Sequence, residues 1–172
     1  RYYHIRGTEA HVGPSAVNEE GVAKELGAIP VVEDLTDKKQ YARWELWMDL
    51  AGALGHFTHH IGTTGSSAYE STAVYKELAE AFIEAGRWGH RYPDFIGRAH
   101  RHRNFAIKVP TAKTHAWVFI TPAWQGKTPF IYKLAARQSQ PQFGGVVVTV
   151  KNKIVTVKEK IWSLRRSRVV KL

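Results

Sequence analysis

Apolar and polar positions change their rhythm near residue 104. Before it, helical and extended periods alternate. YYHIR (2–6) is aromatic and β-branched, as a short strand is, and the GTEAHVGPS that follows carries the glycine, proline and serine of a loop. A helix is expected from Ser15, with Ser15 as N-cap, Glu19 and Glu20 in its early turns, Val22, Ala23 and Leu26 on one side, and Gly27 at its end. ARWELWMDL (42–50) alternates imperfectly, as a strand covered on both faces does, and ALGHFTHHIG reads as a further strand running into a loop. In TTGSSAYES, Ser67 and Glu70 have the spacing of a capping box. Val74, Leu78, Ala81, Phe82 and Ala85 then fall at helical spacing, which predicts a helix over 71–87 closed by Gly86 and Gly89. YPDFIGRAHRHR has the order of turn, apolar strand and polar strand end.

After residue 104, FAIKV, HAWVFI, PFIYKLA, GGVVVTV and KIVTVKEKIW are five strand-like runs broken by turns. No low-complexity linker separates the two textures and no internal repeat occurs. The expected class is therefore α/β or α+β: one domain over 1–172, with an α/β part (1–104) and a mostly β part (105–172). Its mixed sheet should pack on a second, antiparallel sheet, with helices flanking.

Composition narrows the chemistry. With 172 residues and 44% hydrophobic content the chain can bury a core. It has no apolar run of membrane-spanning length and no signal-peptide pattern, so no membrane partner is expected and a cytoplasmic location is the default. The absence of cysteine excludes disulfides, thiolate metal sites and thiol nucleophiles. Any metal must be held by His, Asp, Glu or Asn, which favours Mn, Fe, Zn or Ni. The formal charge of +10 is uneven: residues 1–50 hold nine of the fifteen acids, and residues 151–172 hold eight Lys or Arg against Glu159 alone. That basic end suits either solvation or the phosphates of nucleic acid.

Nine histidines give the strongest chemical signal. His4, His90 and His115 stand alone and read as structural or exposed. The others follow three strands: His11 in GTEAHVG, then His56, His59 and His60 in GHFTHHIG, then His100 and His102 in GRAHRHR. If GRAHRHR continues as a strand, His100 and His102 share a face while Arg101 points away. Neighbouring strands would bring the junctions to one pocket, where two divalent ions could clamp a phosphate and Arg98, Arg101 and Arg103 could bind it. Such a site also needs carboxylates, yet the chain has four aspartates, Asp34, Asp37, Asp49 and Asp94, none in an Asp-x-His pattern. No Gly-x-Ser-x-Gly or P-loop is present.

The order GTEAH, paired HH, GRAHRHR resembles the later motifs of calcineurin-like metallophosphoesterases, and TPAWQGKTPFIYK is similar to a second-sheet segment of phage and bacterial members. The resemblance runs from about residue 3 to about residue 150 and begins in the family's middle. It implies a four-layer α/β/β/α sandwich with a two-metal site for phosphomonoester or phosphodiester hydrolysis, nucleic acid being one such substrate. By it His102 would bind the first metal, His100 the second, and His59 or His60 would supply another ligand. His11 would act as proton donor or as a ligand, with Glu9 behind it. GTEAH departs from the family's Gly-Asn-His pattern, and GRAHRHR has Ala99 where glycine is usual. The family's Asp-x-His and Gly-Asp motifs would have to come from an upstream segment or a partner chain. Without them the resemblance leaves a second reading, a non-catalytic nucleic-acid-binding or assembly component with the same fold.

Overall fold

The computed structural model describes residues 1–8, 16–32, 38–62, 69–112, 114–126 and 141–162. In chain order the elements are β1 (His4–Ile5), α1 (Val17–Glu25), β2 (Val31–Val32), β3 (Lys39–Gln40), β4 (Ala42–Arg43), β5 (Glu45–Leu50) and β6 (Ala53–Thr58). There follow α2 (Glu70–Trp88), β7 (Phe95–Arg98), β8 (Phe105–Pro110), β9 (His115–Ile120), β10 (Phe143–Lys151) and β11 (Ile154–Trp162). The centre is a five-stranded mixed sheet in the order β5-β6-β7-β9-β8. Strands β6, β7 and β9 run parallel, and β5 and β8 pair antiparallel at the two edges.

Alternation along these strands sorts the core into two layers. Ile96, Ala116, Val118 and Ile120 meet Ala73, Val74 and Leu78 of α2 on one face. Ala53, Phe95 and Phe119 meet Val155 and Val157 of the β10–β11 hairpin on the other. His115 Nε2 and Trp117 Nε1 both face the Val155 carbonyl, at 3.2 and 3.0 Å, and fasten the hairpin to β9. The fold is thus mixed α+β, with a helix, a mixed sheet and an antiparallel sheet in successive layers. Both textures of the sequence contribute strands to the central sheet, since β9 inserts between β7 and β8. Among the described residues no helix covers the outer face of the hairpin, so the fourth layer of the expected sandwich is not among them.

The amphipathic helix α2 follows the expected range to within a residue at each end. Gly89, in the left-handed region at φ 66°, stops it. Tyr69 is its N-cap; Ser67 of the expected capping box lies outside the described residues, as do Ser15 and the PFIYKLA run. Two expectations are corrected. β5 is an edge strand instead of one covered on both faces: Leu46 is buried while Trp47 and Leu50 are exposed. On α1 only Ala23 is buried, and Val22 and Leu26 face outward, because the helix rests on the small residues Ala28 and Ala42 instead of on the main sheet.

Close packing is tightest where the aromatic rings of the hairpin-side core cross the strands. A Cβ added at Gly97 would lie 2.5 Å from the Phe57 ring, which is itself wedged edge-on against Phe95 and Phe119. Gly97→Ala should therefore destabilise the fold by about 1–3 kcal/mol. A lowered urea midpoint with an unchanged slope checks this, and a parent-like midpoint would contradict the packing described.

Candidate functional site

Parallel pairing of β6 with β7 puts the ends of both strands on the same edge of the sheet, so the residues following Thr58 and Arg98 are neighbours. The Ala99 amide donates to the His59 carbonyl at 3.0 Å, which locks the two junctions together. His59 Nε2 then lies 3.2 Å from His100 Nδ1. His60 completes a triangle of rings, with centroids 5.1 Å from His59 and 5.2 Å from His100. The sequence expected three junctions to converge; the structure brings the two after β6 and β7 together at His59, His60 and His100, and His11 of the remaining one lies outside the described residues.

The backbone achieves it differently from expectation. GRAHRHR leaves the strand at Arg98, and His100 and His102 both take left-handed conformations, at φ 70° and 56°. The two rings therefore do not share a strand face. Non-glycine residues in this region carry a conformational cost and concentrate at functional loops. The surroundings hold the turn: Gln142 donates its amide to the His102 carbonyl at 2.8 Å and accepts the Asn104 amide at its side chain, at 2.5 Å.

His102 and His59 line a cleft of about 440 Å³ together with His4, Gly7, Asn18, Glu19, Val22 and Gln125. His4 is thus part of the site, not a solitary structural histidine. Its Nε2 faces Glu19 Oε1 at 2.9 Å and its Nδ1 faces the Tyr2 hydroxyl at 2.5 Å, while the Gly7 amide donates to Glu19 Oε2 at 2.7 Å. Sequence reasoning gave Glu19 only a place in the first turn of α1; nothing in the local pattern shows that the helix turns this carboxylate toward the end of β1. Glu9 and His11 lie outside the described residues, although Gly7 and Asn18, on either side of that segment, both line the cleft. Asp49 and Asp94 are at the opposite end of the sheet, where Asp94 accepts the Leu54 amide and pairs with Arg91.

Of the three arginines of GRAHRHR, Arg98 turns inward. Arg98, 5% exposed, shares the α2 face of β7 with Ile96, as alternation requires. Its Nε donates to Glu77 at 2.7 Å, its Nη1 to the carbonyls of His56 and Gly97, and its Nη2 faces His56 Nδ1. Arg98 is thus buried beneath α2 and is not among the residues lining the cleft, and burial lowers its pKa against the pull of Glu77. Arg101 donates to the Gly62 carbonyl, and Arg103 pairs with Glu70 at the start of α2. His56, inside β6, also faces α2, stacked on Trp47 at 4.0 Å.

The donor set suits a borderline divalent ion in kind and partly in geometry. Two imidazole nitrogens bound to one tetrahedral ion stand about 3.3 Å apart, and His59 and His100 stand 3.2 Å apart. Among the described residues no group of three His, Asp or Glu side chains is placed to hold a metal. No protein-family model matches the sequence, and no curated protein matches it. Among solved structures, one similar chain is wild-type Vps29 from Entamoeba histolytica complexed with Zn2+. It shares 10% identity at a TM-score of 0.39, over 91% of this chain and 77% of that one. No described helix is long and apolar enough to cross a membrane.

His56 gives the α2 face a pH response. Burial, and then the neighbouring Arg98 charge, push its pKa below the ordinary 6.5, and Glu45 only partly opposes them. Because the folded pKa is lowered, the contribution is complete above pH 6.5 and is lost as pH falls through the folded value. Urea midpoints should drop on acidification more steeply in the parent than in His56→Gln, and equal slopes would contradict this assignment.

Proposed function

We propose that the cleft is a divalent-cation-dependent phosphoesterase site, with His59 and His100 holding one ion. The observation that carries the reading is the facing pair of imidazole nitrogens at the adjoining ends of two parallel strands. The motif order that resembles metallophosphoesterases supports it. Glu19 adds a carboxylate to a cleft that would otherwise concentrate histidine and repel cations. When bound, the ion supplies positive charge to the phosphoryl oxygens and acidifies water.

The chain's own residues do the rest. His102, which lines the cleft from its left-handed turn, would hold a second ion. Glu19 fixes the ring orientation of His4 and ties β1 to α1 through the Gly7 amide. His60 packs against the ligand pair and limits their rotation. His11 is assigned to protonation of the leaving oxygen and Glu9 to its support, as the motif resemblance implies. Arg101 and Arg103 brace the loop that carries the histidines, and their charge favours a phosphate at its rim.

Titration with Mn2+ or Zn2+ should show saturable binding that His59→Ala and His100→Ala each weaken by at least about tenfold. With the carboxylate-bearing upstream segment or partner chain supplied, hydrolysis of an aryl phosphodiester should require the ion and vanish in both variants. Absent binding, or hydrolysis indifferent to either substitution, would refute the assignment.

A further inference from the structure

The outer face of the β10–β11 hairpin carries a second arrangement, made by different residues from those of the cleft. Antiparallel register places Phe143 opposite Trp162, Gly145 opposite Lys160 and Val147 opposite Lys158. Val155 and Val157 point into the core, so alternation turns Lys158, Lys160 and Trp162 to the other face, and Glu159 falls on the inward parity. The outward set contains lysines and aromatics and no acid.

Trp124 joins this face from the segment that follows β9. The Ala123 and Gly144 amides tie that segment to the start of β10 through Gln142 and Ala123 carbonyls, at 2.9 and 3.1 Å. The Trp124 ring lies 5.0 Å from Phe143, edge-on to it, and 5.7 Å from Trp162, tilted against it, between centroids. Trp124 is 71% exposed and Trp162 50%. Hydrophobic burial therefore does not account for two indoles here. After Trp162 the sequence runs SLRRSRVVKL, with four further cations and no acid.

We propose that Trp124, Phe143 and Trp162 form a stacking platform for the bases of single-stranded nucleic acid, whose phosphates meet Lys158 and Lys160. Exposed aromatic faces beside a row of lysines match such a strand on both counts, since every base has a stacking face and every nucleotide a charge. A double helix has its bases already stacked and offers the indoles nothing. Charge decides against an apolar protein partner, because the rings are bordered by cations on their own face and by more in the following sequence. The platform also adjoins the cleft: Gln125, next to Trp124, lines it, and Gln142, next to Phe143, holds the His102 loop. The assignment deepens the phosphoesterase reading by naming a substrate class, yet binding itself does not depend on that reading.

The test is fluorescence anisotropy of labelled oligothymidylate and oligouridylate with the full chain, in EDTA so that no hydrolysis occurs. The expected result is binding that weakens about tenfold in Trp124→Ala and in Trp162→Ala, with an unchanged salt slope. Lys158→Gln and Lys160→Gln should each lower the salt slope by about 0.7. Circular dichroism confirms folding; if Trp162→Ala unfolds, the exposed Trp124→Ala and the conservative Trp162→Phe decide, the latter retaining most of the affinity. No binding at low salt, parent-like affinity of folded Trp124→Ala, or equal affinity for a duplex of the same length would each overturn the platform. Loss of hydrolysis in the cleft variants with binding intact would leave it standing.

Discussion

The guanidinium of Arg98 is where the sheet, the helix and the histidine loop are joined. Its side chain reaches Glu77 on α2 and the carbonyls of His56 and Gly97 on two adjacent strands, and its own carbonyl accepts the Thr121 amide beyond β9. A charge this buried is tolerated only when its donors are met, and removing one partner from such a set typically costs about 3–5 kcal/mol. Meeting them fixes the height of α2 over the sheet and the point at which β7 ends. The turn containing His100 and His102 begins one residue later, so its position follows from an interaction on the α2 side of the sheet.

From that fixed point the two sides of the molecule take separate roles. Toward α2, aliphatic packing and the Arg98 network give a rigid floor with its polar groups paired. Toward the hairpin, aromatic rings crossing at Gly97 set the spacing of the layers. The cleft lies at the edge where both sides finish, and it draws on five separate stretches: the end of β1, the first turns of α1, the loops after β6 and β7, and the segment after β9. No single segment could hold His4, Glu19, His59 and His102 together; the parallel pairing of β6 and β7 and the docking of α1 on β4 are both required.

Much of the fold was legible in the sequence, and the reasons are specific. The 3.6-residue spacing from Val74 to Ala85 and the alternation in GGVVVTV and KIVTVKEKIW are long, regular signals, and the elements follow them. Convergence of GHFTHHIG and GRAHRHR was legible because both follow apolar strands, which tend to be neighbours. What escaped was direction. Strand parity counted from Phe95 sends Arg98 toward α2, but its neighbours in sequence suggested a phosphate contact. His100 and His102 follow no strand parity at all, since the strand has ended. Glu19 and His4 meet across fifteen residues through a helix docked on small alanines, a contact that no local pattern encodes. The edge position of β5 depends on sheet order, which a hydrophobic count does not specify.

The left-handed turns at His100 and His102 set conformational ease against chemistry. At each position glycine would relieve a backbone cost of about 1 kcal/mol while deleting the imidazole. Glycine at both positions would therefore ease the turn and leave it without imidazoles. Histidine at both places carries its imidazole at a backbone cost, as the non-glycine residues Ala16, Ala51, Asn152 and Lys153 carry theirs elsewhere in the fold.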